Sequence, residues 1–331
     1  MLIAQRHCSS TEHLIYQLQT LPDFKQKRAA IEEQTQRLAA PTPRLRGQSP
    51  ILIPVVVNLV YSMEAENISD AQILSQIDAL NEDYKRLNRD ADNRWPQAAA
   101  TDIEFRLAVR DPNQLPTSGI RRQITSKASF LDNDEVKSTE KGGLDPWPTT
   151  DYLNIWICNL EFPLEGYAQY PGGPSATDGV VIDYACFGRS GIVKPPFHLG
   201  RTATHEVGHW LNLDHLWGDG DCAINDRVED TPPCDRPHFM CQTDARSCGV
   251  QNMVQNFMEY SDDACMNLFT HGQVDRMMAL FMPGGFRERL LDSRGCALPL
   301  IYSSACGDGV QNGQEKGIDC GSPDCPPCKP S

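Results

Sequence analysis

Hydrophobic residues change their period several times along the chain, and each change predicts an element. Residues 1–40 are polar, poor in aromatics and helical in pattern. The run Ile51-Leu52-Ile53-Pro54-Val55-Val56-Val57-Asn58-Leu59-Val60 is rich in β-branched residues and predicts a buried strand. Pro54 has no N–H to give a ladder, which places this strand at an edge or a bulge. Ser69 or Asp70 caps the helix that follows. On it, Ile73, Ile77, Leu80, Tyr84 and Leu87 recur in steps of four and three and form one apolar face. Residues 103–109 alternate as a strand, residues 152–158 read as another, and residues 179–184 as a further one after the turn-rich Pro171-Gly172-Gly173-Pro174. Helical period returns from Thr202 to about Leu213. A long irregular stretch rich in Cys and Asp runs from there to about Gln255. Helix resumes after Thr270, with Val274, Met277, Met278 and Phe281 on one face.

Composition adds limits. With 331 residues, 40% of them hydrophobic, there is material for one large domain plus appendages. Residues 41–50 gather Pro41, Pro43, Arg44, Arg46, Gly47, Ser49 and Pro50 and read as an exposed, cleavable linker. Residues 302–331 carry little apolar content and form a small Cys-rich appendage. The net charge of −14 repels nucleic acid and anionic lipid and suits bound cations and basic substrate segments. No apolar stretch is long enough to span a membrane, and Met1-Leu2-Ile3-Ala4 is too short for a signal-peptide core. The 13 cysteines, five of them between Cys222 and Cys265, point to an oxidising, extracellular compartment, and their odd number leaves at least one thiol unpaired within the chain.

The segment His205-Glu206-Val207-Gly208-His209-Trp210-Leu211-Asn212-Leu213-Asp214-His215 carries the chemistry. Residues four apart share a helix face, so His205 and His209 can offer their rings to one ion. His215 lies too far along for that face, so the helix must stop and the chain turn back. Families with this spacing usually put Gly where Asn212 stands, and Asn is the next-best residue for a left-handed backbone. Three protein ligands leave a position for water, as catalytic zinc requires. Glu206 is placed to take a proton from that water and pass it to the leaving amine. A helix with surface histidines is the bland alternative, and a distant Glu completing the zinc site is another. The third His at this distance favours His215.

Downstream lies Asn256-Phe257-Met258-Glu259-Tyr260-Ser261-Asp262-Asp263-Ala264-Cys265. A Met in a tight turn beneath the zinc site is a metzincin hallmark, and here the sequence resembles the pappalysin group of metzincins. The matching pieces are residues 205–215 with Leu216-Trp217-Gly218-Asp219, then Val228-Glu229-Asp230-Thr231-Pro232, and residues 256–258 through Cys265-Met266-Asn267-Leu268-Phe269-Thr270. Weaker matches run over residues 53–90 and 152–188, so the likeness covers roughly residues 50–290. The resemblance implies an α/β (α+β) metzincin-type catalytic domain. In that fold a twisted mixed sheet, a backing helix and the active-site helix lie above an irregular C-terminal subdomain. It implies Met258 as the hydrophobic base beneath the metal, and Tyr260 as a hydroxyl that stabilises the tetrahedral intermediate; plain packing is the other reading of Tyr260. Asp263 matches the acidic residue of the S1′ pocket, implying cleavage on the N-terminal side of Arg and less well Lys; a solvated acidic loop is its alternative. Asp226 and Thr231 match a structural calcium site, against an ordinary capped turn. Family pairing implies the disulfides Cys222–Cys248 and Cys241–Cys265, with Cys234 left without an obvious partner.

Arg6-His7-Cys8-Ser9 resembles a cysteine switch, in which a thiolate fills the open zinc position. A plain free or paired thiol is the other reading of Cys8. Removal of the segment is expected around Leu45-Arg46. In the tail, Cys325-Pro326-Pro327-Cys328 admits zinc-knuckle and redox readings, but with Cys306 and Cys320 two small disulfides are expected, and Val310 spoils an EF-hand reading. His7, His13, His198, His238 and His271 lack metal spacing and are expected mostly at the surface or in caps. The expected organisation is a pro-segment and linker over residues 1–47, a catalytic domain over 48–300 and a Cys-rich tail over 301–331. The expected function is that of a secreted, zymogen-derived zinc endopeptidase acting on proteins or peptides with Arg or Lys, with one catalytic Zn2+ and a structural Ca2+. A zinc-stabilised, non-catalytic binding or adhesion protein is the rival reading.

Overall fold

The computed structural model describes residues 5–39, 50–218, 220–223, 226–299, 309–311, 316–318 and 320. Two helices lead, α1 (Ser10–Thr20) and α2 (Phe24–Leu38), followed by strand β1 (Ile51–Tyr61) and helix α3 (Asp70–Tyr84). Then come β2 (Ala98–Ala99), β3 (Ile103–Leu107), β4 (Ile120–Ile124), β5 (Leu153–Cys158), β6 (Gly166–Ala168) and β7 (Val180–Asp183). Helix α4 (Arg201–Trp210) precedes β8 (Arg246–Ser247), β9 (Val250–Gln251), β10 (Phe269–Thr270) and α5 (His271–Ala279). The result is a mixed α/β fold.

The main sheet runs β3-β1-β5-β7-β6, with β4 pairing the second half of β1 on the same side as β3. All pairs are parallel except β6 with β7. Both faces are covered, which explains the unbroken apolar run of β1: Ile53, Val55, Val57 and Leu59 join the cluster shared with α3 and α4, while Val60 joins a second cluster with Trp156 and Tyr167.

The edge expected from Pro54 is a correction, because β1 lies inside the sheet. The amides of Ile51 and Val57 point to the β3–β4 side. Pro54, out of phase with them, turns its missing donor to the other side, where β5 starts to pair only at Val55.

Ser69 caps α3, its side chain accepting from the Gln72 amide at 3.2 Å. Ile73, Ile77, Leu80 and Tyr84 are buried as the periodicity predicts, but Leu87 is 67% exposed. The helix has ended by then, and Arg86 in the left-handed region turns the chain away.

Two polar systems fix α4 from its two ends. On α3, Asp83 accepts from Thr204 Oγ1 at 2.6 Å and pairs with Arg201, while Tyr84 donates to the Thr204 carbonyl at 3.1 Å. At the far end the Arg287 guanidinium stacks on Trp210, 3.4 Å from the ring centroid, and donates to both oxygens of Asp178 at 3.0 Å. Trp210 Nε1 donates to the same carboxylate at 2.9 Å, and Arg287 Nε reaches the Trp210 carbonyl at 3.1 Å.

Below the sheet, the irregular stretch after α4 is cross-linked by Cys222–Cys248 and Cys241–Cys265. Capped by Thr270, α5 closes this part, with Val274 and Met277 buried. Among the described residues no helix is long and apolar enough to cross a membrane.

Removing one partner of a buried ion pair strands the other charge. Asp178→Ala is therefore expected to lower stability by about 3–5 kcal/mol, read as a drop in denaturation midpoint. Asp178→Ala combined with Arg287→Met leaves no buried charge and should recover more than half of that loss. Equal losses in the single and double variants would show that the pair does not hold this end of α4.

Candidate metal centre

Every residue of α4 is buried, and its 3.6-residue period brings His205 and His209 to one face. The helix ends in a tight closure: the Leu213 amide donates to Gly208 O at 3.0 Å, and Asn212 takes the left-handed conformation at φ 71°. The chain then doubles back and delivers His215. The three Nε2 atoms form a triangle with sides of 3.0–3.1 Å, a spacing suited to three nitrogens that each lie about 2.0–2.1 Å from one zinc ion.

The other ring nitrogens orient the three imidazoles. His205 Nδ1 lies 2.7 Å from Phe257 O; His209 Nδ1 lies 2.8 Å from Leu213 O and from the Tyr170 hydroxyl; His215 Nδ1 lies 3.2 Å from Thr11 Oγ1. A proton on Nδ1 leaves the Nε2 lone pair for a metal. Burial pushes all three pKa values down, that of His209 to about 4, which favours the neutral ligand form.

Glu206 is buried beside the triangle, and burial raises its pKa to about 7. Its Oε2 accepts from Ser10 Oγ at 2.7 Å and from the Cys8 thiol at 3.4 Å. Cys8 Sγ and the three imidazoles lie within 4.8 Å of one another, a four-ligand group that can hold a metal. Residues 7–9 reach this place by extending the sheet: Glu165 N donates to His7 O, Ser9 N to Gly166 O, and Cys8 bridges Gly166 in the parallel sense. A side chain at Gly166 would meet Glu206 Cγ at 3.0 Å, so the rim strand must be bare there.

Met258 sits under α4 in a turn held by Asn256, whose Oδ1 accepts from the Met258 amide at 2.9 Å and whose side chain exchanges hydrogen bonds with Gln273 of α5. The Tyr260 ring contacts His205, His215 and Trp217, and its hydroxyl donates to Cys8 O at 2.8 Å. Trp217 stacks on His215 at 4.3 Å.

Asp263 is fully buried. Its Oδ2 takes the amides of Leu199 and Arg201, and its Oδ1 receives Arg6 Nη2 at 2.6 Å. Arg6 also donates to Ser261 O and Thr202 Oγ1, lies over Phe197, and has Glu165 at 3.9 Å. Burial opposes the Arg6 charge, but Asp263 and Glu165 outweigh it and its pKa rises. Burial raises that of Glu165 to about 9.

Asp226 Oδ1 accepts from Thr231 Oγ1 at 2.8 Å, while buried Oδ2 has no hydrogen-bond partner among the described residues.

Cys8, His205, Glu206, His209, His215, Met258 and Tyr260 thus come together, with Asp263 beside them under Arg6, whereas Asp226, Thr231 and the disulfides Cys222–Cys248 and Cys241–Cys265 belong to the irregular stretch. Thr202, Ser261, Glu165, Ser10 and Tyr170 were missed; their partners lie far along the chain and no local spacing announces them. Of the five histidines expected mostly at the surface or in caps, His271 is exposed and His7 and His198 are half-buried, whereas His13 and His238 are buried. Asp219, the cleavage point at Leu45-Arg46, and Cys306, Cys325 and Cys328 lie outside the described residues.

Residues 137–282 match the model of a peptidase family described as that of pregnancy-associated plasma protein-A. The chain is 32% identical over 235 residues to an extracellular metalloprotease of Arthroderma otae, which covers 69% of this chain and 76% of that one. It is 32% identical over 247 residues to extracellular metalloprotease 1 of Coccidioides posadasii, covering 71% and 78%. A Tannerella forsythia promirolysin variant superposes with a TM-score of 0.79 at 43% identity, over 87% of this chain and 97% of that one. Tannerella forsythia mature mirolysin in complex with a cleaved peptide superposes with a TM-score of 0.73 at 47% identity, over 76% and 99%.

Gly208 faces Met258 so closely that a Cβ would lie 2.4 Å from its sulfur. Ala in place of Gly within a helix gains about 1 kcal/mol of propensity, whereas overpacking a core costs about 1–3 kcal/mol. Gly208→Ala is expected to be a net loss, with a lower melting temperature and less bound metal per chain by elemental analysis. A variant that melts and loads like the parent would mean that Met258 moves aside freely.

Proposed function

The chain belongs to the pappalysin family of metallopeptidases, and from that premise we propose how this zinc metalloendopeptidase works, what it cleaves and how it is kept latent. Family membership sets aside the reading as a non-catalytic binding module. The roles proposed for single residues rest on the geometry of the cleft.

His205, His209 and His215 hold the zinc, which when bound supplies Lewis acidity toward a scissile carbonyl and toward a water. Glu206, buried and with its pKa near neutrality, receives the proton of the attacking water on a carboxylate oxygen and returns it to the leaving amine. Tyr260 offers its hydroxyl to the oxyanion, at the edge where it now holds the Cys8 carbonyl. Met258 supports the histidine helix from below.

The observation that carries the specificity is Arg6 on Asp263. A guanidinium fits this pocket with its charge met by Asp263, its Nε by the Ser261 carbonyl and its Nη1 by Thr202. A substrate Arg entering in its place puts the scissile bond on its N-terminal side. Lys fits less well because it lacks the planar fork.

Residues 1–47 act as a pro-segment: Cys8 takes the open metal position and Arg6 fills the pocket. The longer match to the pro-form than to the mature form of mirolysin supports this reading. Activation removes the segment near Leu45-Arg46, leaving residues 48–300 as the catalytic domain and 301–331 as a tail. Disulfides in the described loops and the extracellular relatives support secretion. The partnerless Asp226 Oδ2, next to Thr231, supports a structural calcium ion in that loop.

Cleavage of a peptide library with and without a zinc chelator tests the core of this reading. Cuts should fall before Arg and, more weakly, before Lys, and should vanish with chelator or in Glu206→Ala. Asp263→Asn gives up a charge-assisted contact of about 1.5–3 kcal/mol, so kcat/KM for Arg substrates should fall roughly 10- to 150-fold. Cuts that ignore the residue after the bond would defeat the pocket assignment. Cys8→Ser should become active sooner than the parent, and N-terminal sequencing of the active form should place its start within residues 44–51. A start far from that window, or unchanged latency, would reject the pro-segment reading.

A further inference from the structure

Beneath the Met258 turn lies a second group of metal-binding side chains, built from two segments of the irregular subdomain. Cys234 is 1% exposed, His238 7% and Glu259 fully buried. Cys234 Sγ lies 3.8 Å from His238 Nδ1, and that nitrogen lies 3.1 Å from Glu259 Oε2. The three ligand atoms are all within 4.8 Å of one another.

Each component is held in place. Glu259 Oε1 accepts from the amides of His238 and Tyr260, both at 2.9 Å, which turns Oε2 toward the ring and the thiol. The loop carrying Cys234 and His238 is tied down by Cys222–Cys248 and Cys241–Cys265. It is also tied to the Met258 turn through the bridge between Met240 and Ser261. Cys234 is the one cysteine between Cys222 and Cys265 that is not in a disulfide; it spends its proton on Arg236 O at 3.0 Å. A surface depression bounded by Arg236, Phe239 and Gln242 reaches His238.

We propose that Cys234 Sγ, His238 Nδ1 and Glu259 Oε2 form a second metal site, structural in role, for a borderline-soft divalent cation, zinc by its ligand chemistry. A thiolate, an imidazole and one carboxylate suit zinc and fail calcium or magnesium, which need several oxygens. Binding is balanced by protons: the ion displaces the Cys234 thiol proton to solvent, His238 coordinates as the neutral ring and Glu259 as the carboxylate, and water completes the shell. Burial raises the Cys234 pKa to about 11, so the thiol keeps its proton until a metal replaces it. An ion here ties the 234–238 loop to the residue between Met258 and Tyr260, and so braces the floor of the three-histidine centre.

The test uses the full chain carrying Glu206→Ala, which lacks the proposed general base and so keeps the chain intact. After stripping and reloading with zinc and removal of excess, elemental analysis should give two zinc ions per chain. Cys234→Ser and His238→Gln in that background should each give one, whereas Cys8→Ser should keep two. One ion in the Glu206→Ala parent, or two in both the Cys234→Ser and His238→Gln variants, overturns the proposal. Where a variant fails to fold, zinc-edge anomalous scattering from crystals of the loaded parent decides. A peak between the three side chains supports the site, and a peak at the histidine triangle alone refutes it. The triangle is read separately by His209→Gln, so a failure there is distinguishable from a failure here.

Discussion

The structure turns on aiming three neutral imidazoles at one point, each with its second ring nitrogen held by a partner. Two of the Nδ1 groups are committed to backbone carbonyls, Phe257 O and Leu213 O, and so to the exact path of the chain after the helix and of the turn beneath it. That couples elements far apart in sequence. Asn256 shapes the turn that presents Phe257 O, Gln273 of α5 holds Asn256, and Gly208 lets Met258 close against the helix. Asp83, Asp178 and Arg287 then fix where α4 begins and ends. Without this frame the ring nitrogens would be three buried polar atoms with nothing to bind, a costly arrangement.

The second constraint is charge. Asp263 and Glu165 are carboxyl groups in a place water hardly reaches, and Arg6 is the cation that answers them. A buried carboxylate tolerates its position only with hydrogen bonds and an opposite charge. Two amides and a guanidinium meet that need for Asp263, and the elevated pKa of Glu165 shows how little is left over for the second group. By charge alone an apolar side chain in the place of Arg6 would leave Asp263 with its two amides and no cation.

Much of the centre was legible in the sequence because its information is local. His205, Glu206 and His209 are set by helical period, and His215 by the turn that Asn212 permits. The long strands and α3 also declared themselves through period and capping. Other features depend on partners the sequence does not identify. The rim strand β6 is three residues long and exists because β7 pairs with it. Pro54 sits safely inside the sheet only because β5 begins one residue later. Arg6 meets Asp263 across 257 positions, and His238 becomes a potential ligand only when two disulfides fold its loop against Glu259. The resemblance supplied the disulfide pairing, Met258 and Asp263, which spacing alone left open.

Asn212 shows how these constraints meet in one residue. Its backbone needs only a left-handed conformation, which Gly would adopt more readily. Its side chain adds something Gly lacks: Oδ1 accepts from Arg28 at 2.7 Å and Nδ2 donates to Thr35 Oγ1 at 3.2 Å, both on α2. Its carbonyl takes Arg276, which in turn pairs with Glu32 of the same N-terminal helix. The N-terminal segment therefore grips this region twice, through Arg28 and Thr35 at the turn that delivers His215 and through Arg6 at Asp263. The two grips differ in kind. An amide released by α2 exchanges one hydrogen bond for another with water at small net change. Losing the Arg6 guanidinium instead removes a charge partner and leaves Asp263 with the Leu199 and Arg201 amides. Release at the Asn212 turn is an exchange of hydrogen bonds, whereas release at Asp263 removes a charge partner, and on the proposed specificity that unmet charge is what a substrate Arg would answer.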